Sequence, residues 1–97
     1  MSLSFRLEGK VALITGASRG LGAGIADALR EAGATVVGTS RDPESAAQVA
    51  EQLGSVPVVM DVIDVSSVQR GIERVASEFG RLDLLVNNAG LNIPQSV

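Results

Sequence analysis

Thr15-Gly-Ala-Ser-Arg-Gly-Leu-Gly22 stands between an apolar run, Val11-Ala-Leu-Ile14, and a segment whose apolar residues recur every three to four positions. The first pattern is that of a buried strand and the second that of a helix, so the glycines fall where the chain turns from one into the other. A helix start leaves its first amides without intrahelical partners and carries partial positive charge, so a turn of small residues there is suited to an anion. In such a turn Gly16 permits the tight bend, Gly20 the close approach of a diphosphate, and Gly22 the packing of helix on strand. Ser18 adds a hydroxyl donor, and Arg19 and Leu21 belong to the same candidate set. The spacing is not that of the usual dinucleotide fingerprint, and the Gly-Lys-Ser/Thr ending of a P-loop is missing. The reading is phosphate binding without ATP hydrolysis.

Outward from the turn, short runs rich in β-branched residues alternate with helical periodicities, which predicts βαβαβαβ. Strands are expected over residues 10–15, 35–39, 56–61 and 82–87, each nearly continuous in apolar residues, as in a parallel sheet covered on both faces. The first helix is expected over 20–32, with Leu21, Ile25, Ala28, Leu29 and Ala32 as its apolar stripe. The second follows Asp42 as cap and Pro43 as first residue and runs to Leu53. The third starts near Ser66, whose spacing to Gln69 fits a capping box, and buries Val68, Ile72, Val75, Ala76 and Phe79. Gly33, Gly54 and Gly80 are expected to end the three helices in left-handed caps. Right-handed crossovers wind these units into an open α/β sheet of order 3-2-1-4, a Rossmann-like parallel sheet with ligands at the carboxyl ends of its strands.

Composition narrows the function classes. The 97 residues suit one domain, and 45% hydrophobic with 20% charged residues is an ordinary globular balance. Eight scattered basic residues against eleven acidic ones, with two aromatics, argue against a nucleic-acid partner. Cysteine and histidine are both absent, which removes Ser-His and Cys-His chemistry and leaves no metal site expected. No apolar stretch approaches the ~20 residues of a membrane span, and the N-terminus lacks the pattern of a signal peptide. The expected setting is the cytoplasm, away from membranes.

Three ordered motifs carry a resemblance to a known family. Thr-Gly-x-x-x-Gly-x-Gly at 15–22, preceded by Gly9-Lys-Val-Ala-Leu-Ile14, is followed by Asp61-Val62 at the end of the third expected strand and by Asn87-Asn-Ala-Gly90 at the end of the fourth. Together they resemble the cofactor-binding part of the short-chain dehydrogenase/reductase family, over about residues 6–93 and less than half of a family member. The resemblance implies that Asp61 accepts a hydrogen bond from the adenine amine while the Val62 amide donates to the ring. It implies that Asn88, Ala89 and Gly90 steady the sheet and pass beneath the cofactor ribose. At the end of the second strand Ser40-Arg41 stands where an NAD-binding sheet has a carboxylate, and Arg19 lies in the turn facing the same region. NADP(H) is therefore the expected cofactor, with NAD(H) open as the second choice.

The family's proton transfer uses a serine and a Tyr-x-x-x-Lys pair downstream of Asn-Asn-Ala-Gly. The chain has no tyrosine, and its one lysine, Lys10, belongs to the first expected strand. The expectation is a single, incomplete dinucleotide-binding domain over 1–97, with no catalytic residue of its own and no activity alone. Two functions stay open. One is the cofactor half of an NADP-dependent oxidoreductase acting on a carbonyl/alcohol pair, homo-oligomeric as a full-length protein. The other is a non-catalytic nucleotide-binding module.

Overall fold

The computed structural model describes residues 6–16 and 20–88. Its elements run β1 (Val11–Thr15), α1 (Gly20–Glu31), β2 (Thr35–Ser40), α2 (Pro43–Leu53), β3 (Val58–Val59), α3 (Val65–Phe79) and β4 (Leu84–Asn87). The four strands form one sheet in the order β3-β2-β1-β4, and each of its three pairings is parallel. This is the expected Rossmann-like order.

Side-chain alternation along the central strands divides the core in two. Ala12 and Ile14 of β1, with Val36 of β2, meet Ala26 of α1 and Val49 of α2 on one face. Val11 and Leu13, with Val37 and Val58, meet Met60 and Val75 of α3 on the other. Strand residues alternate faces with period two, so a β1 buried at all five positions requires cover on both sides, and the crossovers supply it. The outer strand β4 has no neighbour beyond it among the described residues, and Leu85 keeps half of its surface exposed.

The helix boundaries follow local chemistry. The Asp42 carboxylate accepts from the Ser45 amide at 3.0 Å, and Pro43 takes the first position of α2, as expected. Gly33, Gly54 and Gly80 all lie at positive φ after their helices. The α3 start differs from the capping box expected at Ser66. Its cap is Asp64, whose carboxylate accepts from the Ser66 and Ser67 amides at 3.0 and 3.4 Å. A carboxylate two residues upstream can take two free amides at once, which a Ser66 hydroxyl does not match.

Two apolar stripes also sit differently. In α1 the buried residues are Gly22 and Ala26, while Leu21 and Ala28 face outward. The small residues let the helix lie close on β1, and that contact, rather than the longest side chains, sets the inner face. In α3 Gly71 and Val75 are buried and Ala76 is exposed. The third strand is shorter than the expected 56–61, because its pairing with β2 covers only Thr39↔Val58 and Ser40↔Val59, and Pro57 has no amide to donate. The fourth begins at Leu84 rather than residue 82, with Leu82 packed under α3 and Asp83 engaged in side-chain bonds.

Candidate functional site

Register places the candidate residues. Thr15 of β1 stands level with Thr39 of β2 and Asn87 of β4, so the glycine turn, Ser40-Arg41 and Asn88 all follow strand ends on one rim. Asp61 and Val62 follow β3 on the same rim. The chain leaves β1 toward β2 on one side, while β4 returns to its other side. This divergence puts the point where the strand order reverses at the carboxyl end of β1, the place at which open α/β sheets hold ligands.

The glycine turn is packed as a cradle requires. Gly16 and Gly20 have φ of 66° and 64°, left-handed values that disfavour any side chain. At Gly22 a Cβ would overlap the Gly16 carbonyl oxygen and come within 2.5 Å of Asn88 Nδ2. The start of α1 is thereby held directly against the bend. The first turn of α1 carries no acidic side chain, whereas α2 and α3 each begin on an aspartate cap. No carboxylate stands in the sequence from Gly16 to Ala23, so the positive end of α1 is the one that no capping aspartate offsets.

The far strand ties the bend in place. Asn88, only 7% exposed, donates from Nδ2 to the Gly16 carbonyl at 3.0 Å. One residue earlier, Thr15 Oγ1 donates to Asn87 Oδ1 at 2.9 Å. Both contacts span 72 residues of sequence. Of the expected site residues, Asn88 therefore serves the turn itself.

Asp61 and Val62 are half-buried at the β3 end of the rim. The Asp61 carboxylate accepts the Ile63 amide through Oδ1 at 3.1 Å, and its carbonyl accepts the Asp64 amide at 3.0 Å, so the chain bends sharply after the strand. Among the described residues, Asp61 Oδ2 and the Val62 amide have no hydrogen-bond partner, an acceptor and a donor on adjacent residues. Ser40 is half-buried and accepts weakly from the Asp42 amide at 3.4 Å, while Arg41 and Leu21 are exposed. Ser18, Arg19, Ala89 and Gly90 lie outside the described residues.

Sequence reasoning passed over Ser67, whose hydroxyl accepts the Asp61 amide at 2.9 Å. It also passed over Asp83 at the opposite end of the sheet. There the Asp83 carboxylate accepts the Val11 amide at 2.8 Å and pairs with Arg81 through two contacts of 2.8 and 2.9 Å. The Arg81 guanidinium and the Val11 amide hold the Asp83 carboxyl down at about 2. No local pattern marks either residue, because each acts on a strand that is distant in sequence or on a bend that forms only once the strand ends.

Known proteins resemble this chain in sequence and fold. Residues 10–97 match the short chain dehydrogenase family. The chain is 47% identical over 87 residues to the 3-oxoacyl-[acyl-carrier-protein] reductase of Vibrio harveyi, covering 88% of this chain and 36% of that protein. It is 45% identical over 96 residues to the D-threitol dehydrogenase of Mycolicibacterium smegmatis, covering 94% and 37% respectively. Among solved structures, a 3-ketoacyl-(acyl-carrier-protein) reductase from Brucella melitensis complexed with NADH superposes with a TM-score of 0.74 at 41% identity, over 81% of this chain and 33% of that one. The chain thus spans about a third of the length of these relatives.

Proposed function

The chain belongs to the short-chain dehydrogenase family, and on that premise we propose that it is the cofactor-binding half of an oxidoreductase that uses NADP(H) in preference to NAD(H). The whole protein would move hydride between the nicotinamide and a carbonyl/alcohol substrate, the hydride chemistry being what the cofactor supplies. The observation that carries the reading is the cradle at Gly22, where the α1 start is pressed onto the Gly16 bend with no room for a side chain. Gly16, Ser18, Gly20, Leu21 and Gly22 would receive the diphosphate, and Arg19, Ser40 and Arg41 would face the extra phosphate of NADP(H). Asp61 and Val62 would take the adenine, and Asn88, Ala89 and Gly90 would pass beneath the ribose. A solved relative complexed with NADH supports a nicotinamide dinucleotide as the ligand class.

Preference for NADP(H) is argued from charge. Ser40 ends β2 and Arg41 follows it, with no carboxylate between Thr35 and Arg41, and Arg19 adds a second cation in the glycine turn. A charge-assisted hydrogen bond to the extra phosphate contributes roughly 1.5–3 kcal/mol. One such contact gives NADPH an advantage of about tenfold or more. Titration of the chain with NADPH and NADH tests this. Tighter binding of NADPH is expected, and equal or tighter binding of NADH discards the preference.

The second reading is a nucleotide-binding module without catalysis. These 97 residues hold no tyrosine, and Lys10 directly precedes β1 at the end of the sheet away from the rim. No residue here is assigned proton transfer, so the 97-residue chain is expected to bind cofactor without turning it over. Substrates as different as acyl-carrier-bound ketones and polyols suit the oxidoreductase reading, as the names of its relatives illustrate.

A further inference from the structure

We infer that the Ser67 hydroxyl is a positioning group for the adenine end of the site, acting through the Asp61 backbone. The inference rests on the dinucleotide reading above. The third strand is only Val58–Val59, and its last inter-strand bond is from the Met60 amide to the Ser40 carbonyl at 2.8 Å. Past that point no sheet ladder holds the chain. Two of the three bonds at Asp61 lie inside the bend, to Ile63 and Asp64, and fix its curvature without fixing where it sits. The third comes from outside: the Asp61 amide donates to Ser67 Oγ at 2.9 Å.

Ser67 lies in the first turn of α3, which is seated on the sheet by Val75 and by the close approach of Gly71 to the Met60 side chain. The hydroxyl therefore transmits the position of the helix to the bend. Its neighbour Ser66 is exposed and uses only its amide, toward the Asp64 cap. What the anchor fixes is the pair formed by Asp61 Oδ2 and the Val62 amide, an acceptor beside a donor. That pair matches the adenine edge, which offers an amine and an unprotonated ring nitrogen. It mismatches hypoxanthine, which offers a carbonyl and a protonated nitrogen. Ser67 would thus govern discrimination between the two bases without touching either.

The test is calorimetric titration of the 97-residue chain with ADP and with inosine diphosphate, for the wild type, Ser67→Ala and Ser67→Thr. Wild type is expected to favour ADP. Loss of one hydrogen bond should lower ADP affinity about two- to tenfold in Ser67→Ala, leave inosine diphosphate nearly unchanged, and be reversed in Ser67→Thr. A general loss of structure would lower both affinities together. A wild type that binds neither nucleotide overturns the dinucleotide reading itself, and one that binds both alike overturns the adenine role of Asp61 and Val62 and with it that of Ser67. A wild type that favours ADP, with the same ADP-to-inosine-diphosphate ratio in Ser67→Ala, overturns only the role of Ser67. Should Ser67→Ala not fold, amide hydrogen exchange on the nucleotide-free wild type decides. A protected Asp61 amide supports the anchor, and one exchanging at the unprotected rate overturns it.

Discussion

Gly22 and Gly24 are two residues apart on the same helix, yet a methyl group has opposite consequences at each. At Gly22 it meets the Gly16 carbonyl and the Asn88 amide, whereas at Gly24 nothing lies within 4 Å. Gly22→Ala must push α1 off the bend, at a cost of about 1–3 kcal/mol for overpacking, and should lose most nucleotide affinity with it. Gly24→Ala should hold the wild-type affinity and gain roughly 0.5–1 kcal/mol from the better helix former. Thermal melts and a nucleotide titration on both variants check this pair. Arg41 presents the charge question at the same scale. It is exposed beside the rim, so Arg41→Asp should reverse the ratio of NADPH to NADH affinity with little change in melting temperature. An unchanged ratio would mean that the guanidinium does not reach the phosphate.

Among the elements, α3 shows how a cap is chosen by geometry rather than by motif. Asp64 holds two free amides, while Ser66 contributes only its own. Asp64→Ala is expected to cost about 1 kcal/mol, and Ser66→Ala on the exposed side to cost a few tenths at most, read as shifts in the urea midpoint. Equal shifts in the two variants would return the cap to Ser66. The contrast with α1 matters for function. Helices α2 and α3 begin on their own aspartate, which offsets the positive end, and α1 begins on glycine with no acid in its first turn, which is why the proposed diphosphate is assigned to it.

Across the whole molecule the rim is kept in register from the opposite end of the sheet. Asp83 joins β4 to β1 twice, through its amide to the Val11 carbonyl at 2.9 Å and through its carboxylate to the Val11 amide at 2.8 Å. Because Arg81 and the Val11 amide depress its carboxyl to about 2 from an ordinary 3.8, folding favours the ionised form. The stability this contributes is fully present above pH 3.8 and is lost as pH falls through 2. Urea midpoints of the wild type should therefore decline across that window. Asp83→Asn should start lower at neutral pH and decline less, and parallel slopes for the two proteins would show that this carboxylate does not couple to folding. The same clamp sets β4 level with β1, and so brings Asn88 to Gly16 on the far rim.

The local signals that could be read without coordinates were those that depend on nearest neighbours. Alternating strand and helix periodicities, the Asp42-Pro43 start, the three terminal glycines and the left-handed glycines Gly16 and Gly20 between β1 and α1 all hold in the fold, because backbone conformation at each is dictated by residues within a few positions. Strand order followed from the handedness of crossovers. What required the tertiary structure was every contact between segments far apart in sequence: Asn88 on Gly16, Thr15 on Asn87, Asp83 on Val11, and the shortening of β3 to the length that β2 can pair. The inner face of α1 belongs with these, since Leu21 and Ala28 lose their place to Gly22 and Ala26 only when the helix meets the bend. Periodicity states that a helix has an apolar side; it does not state how closely a partner approaches, and that distance decides which residues are inside.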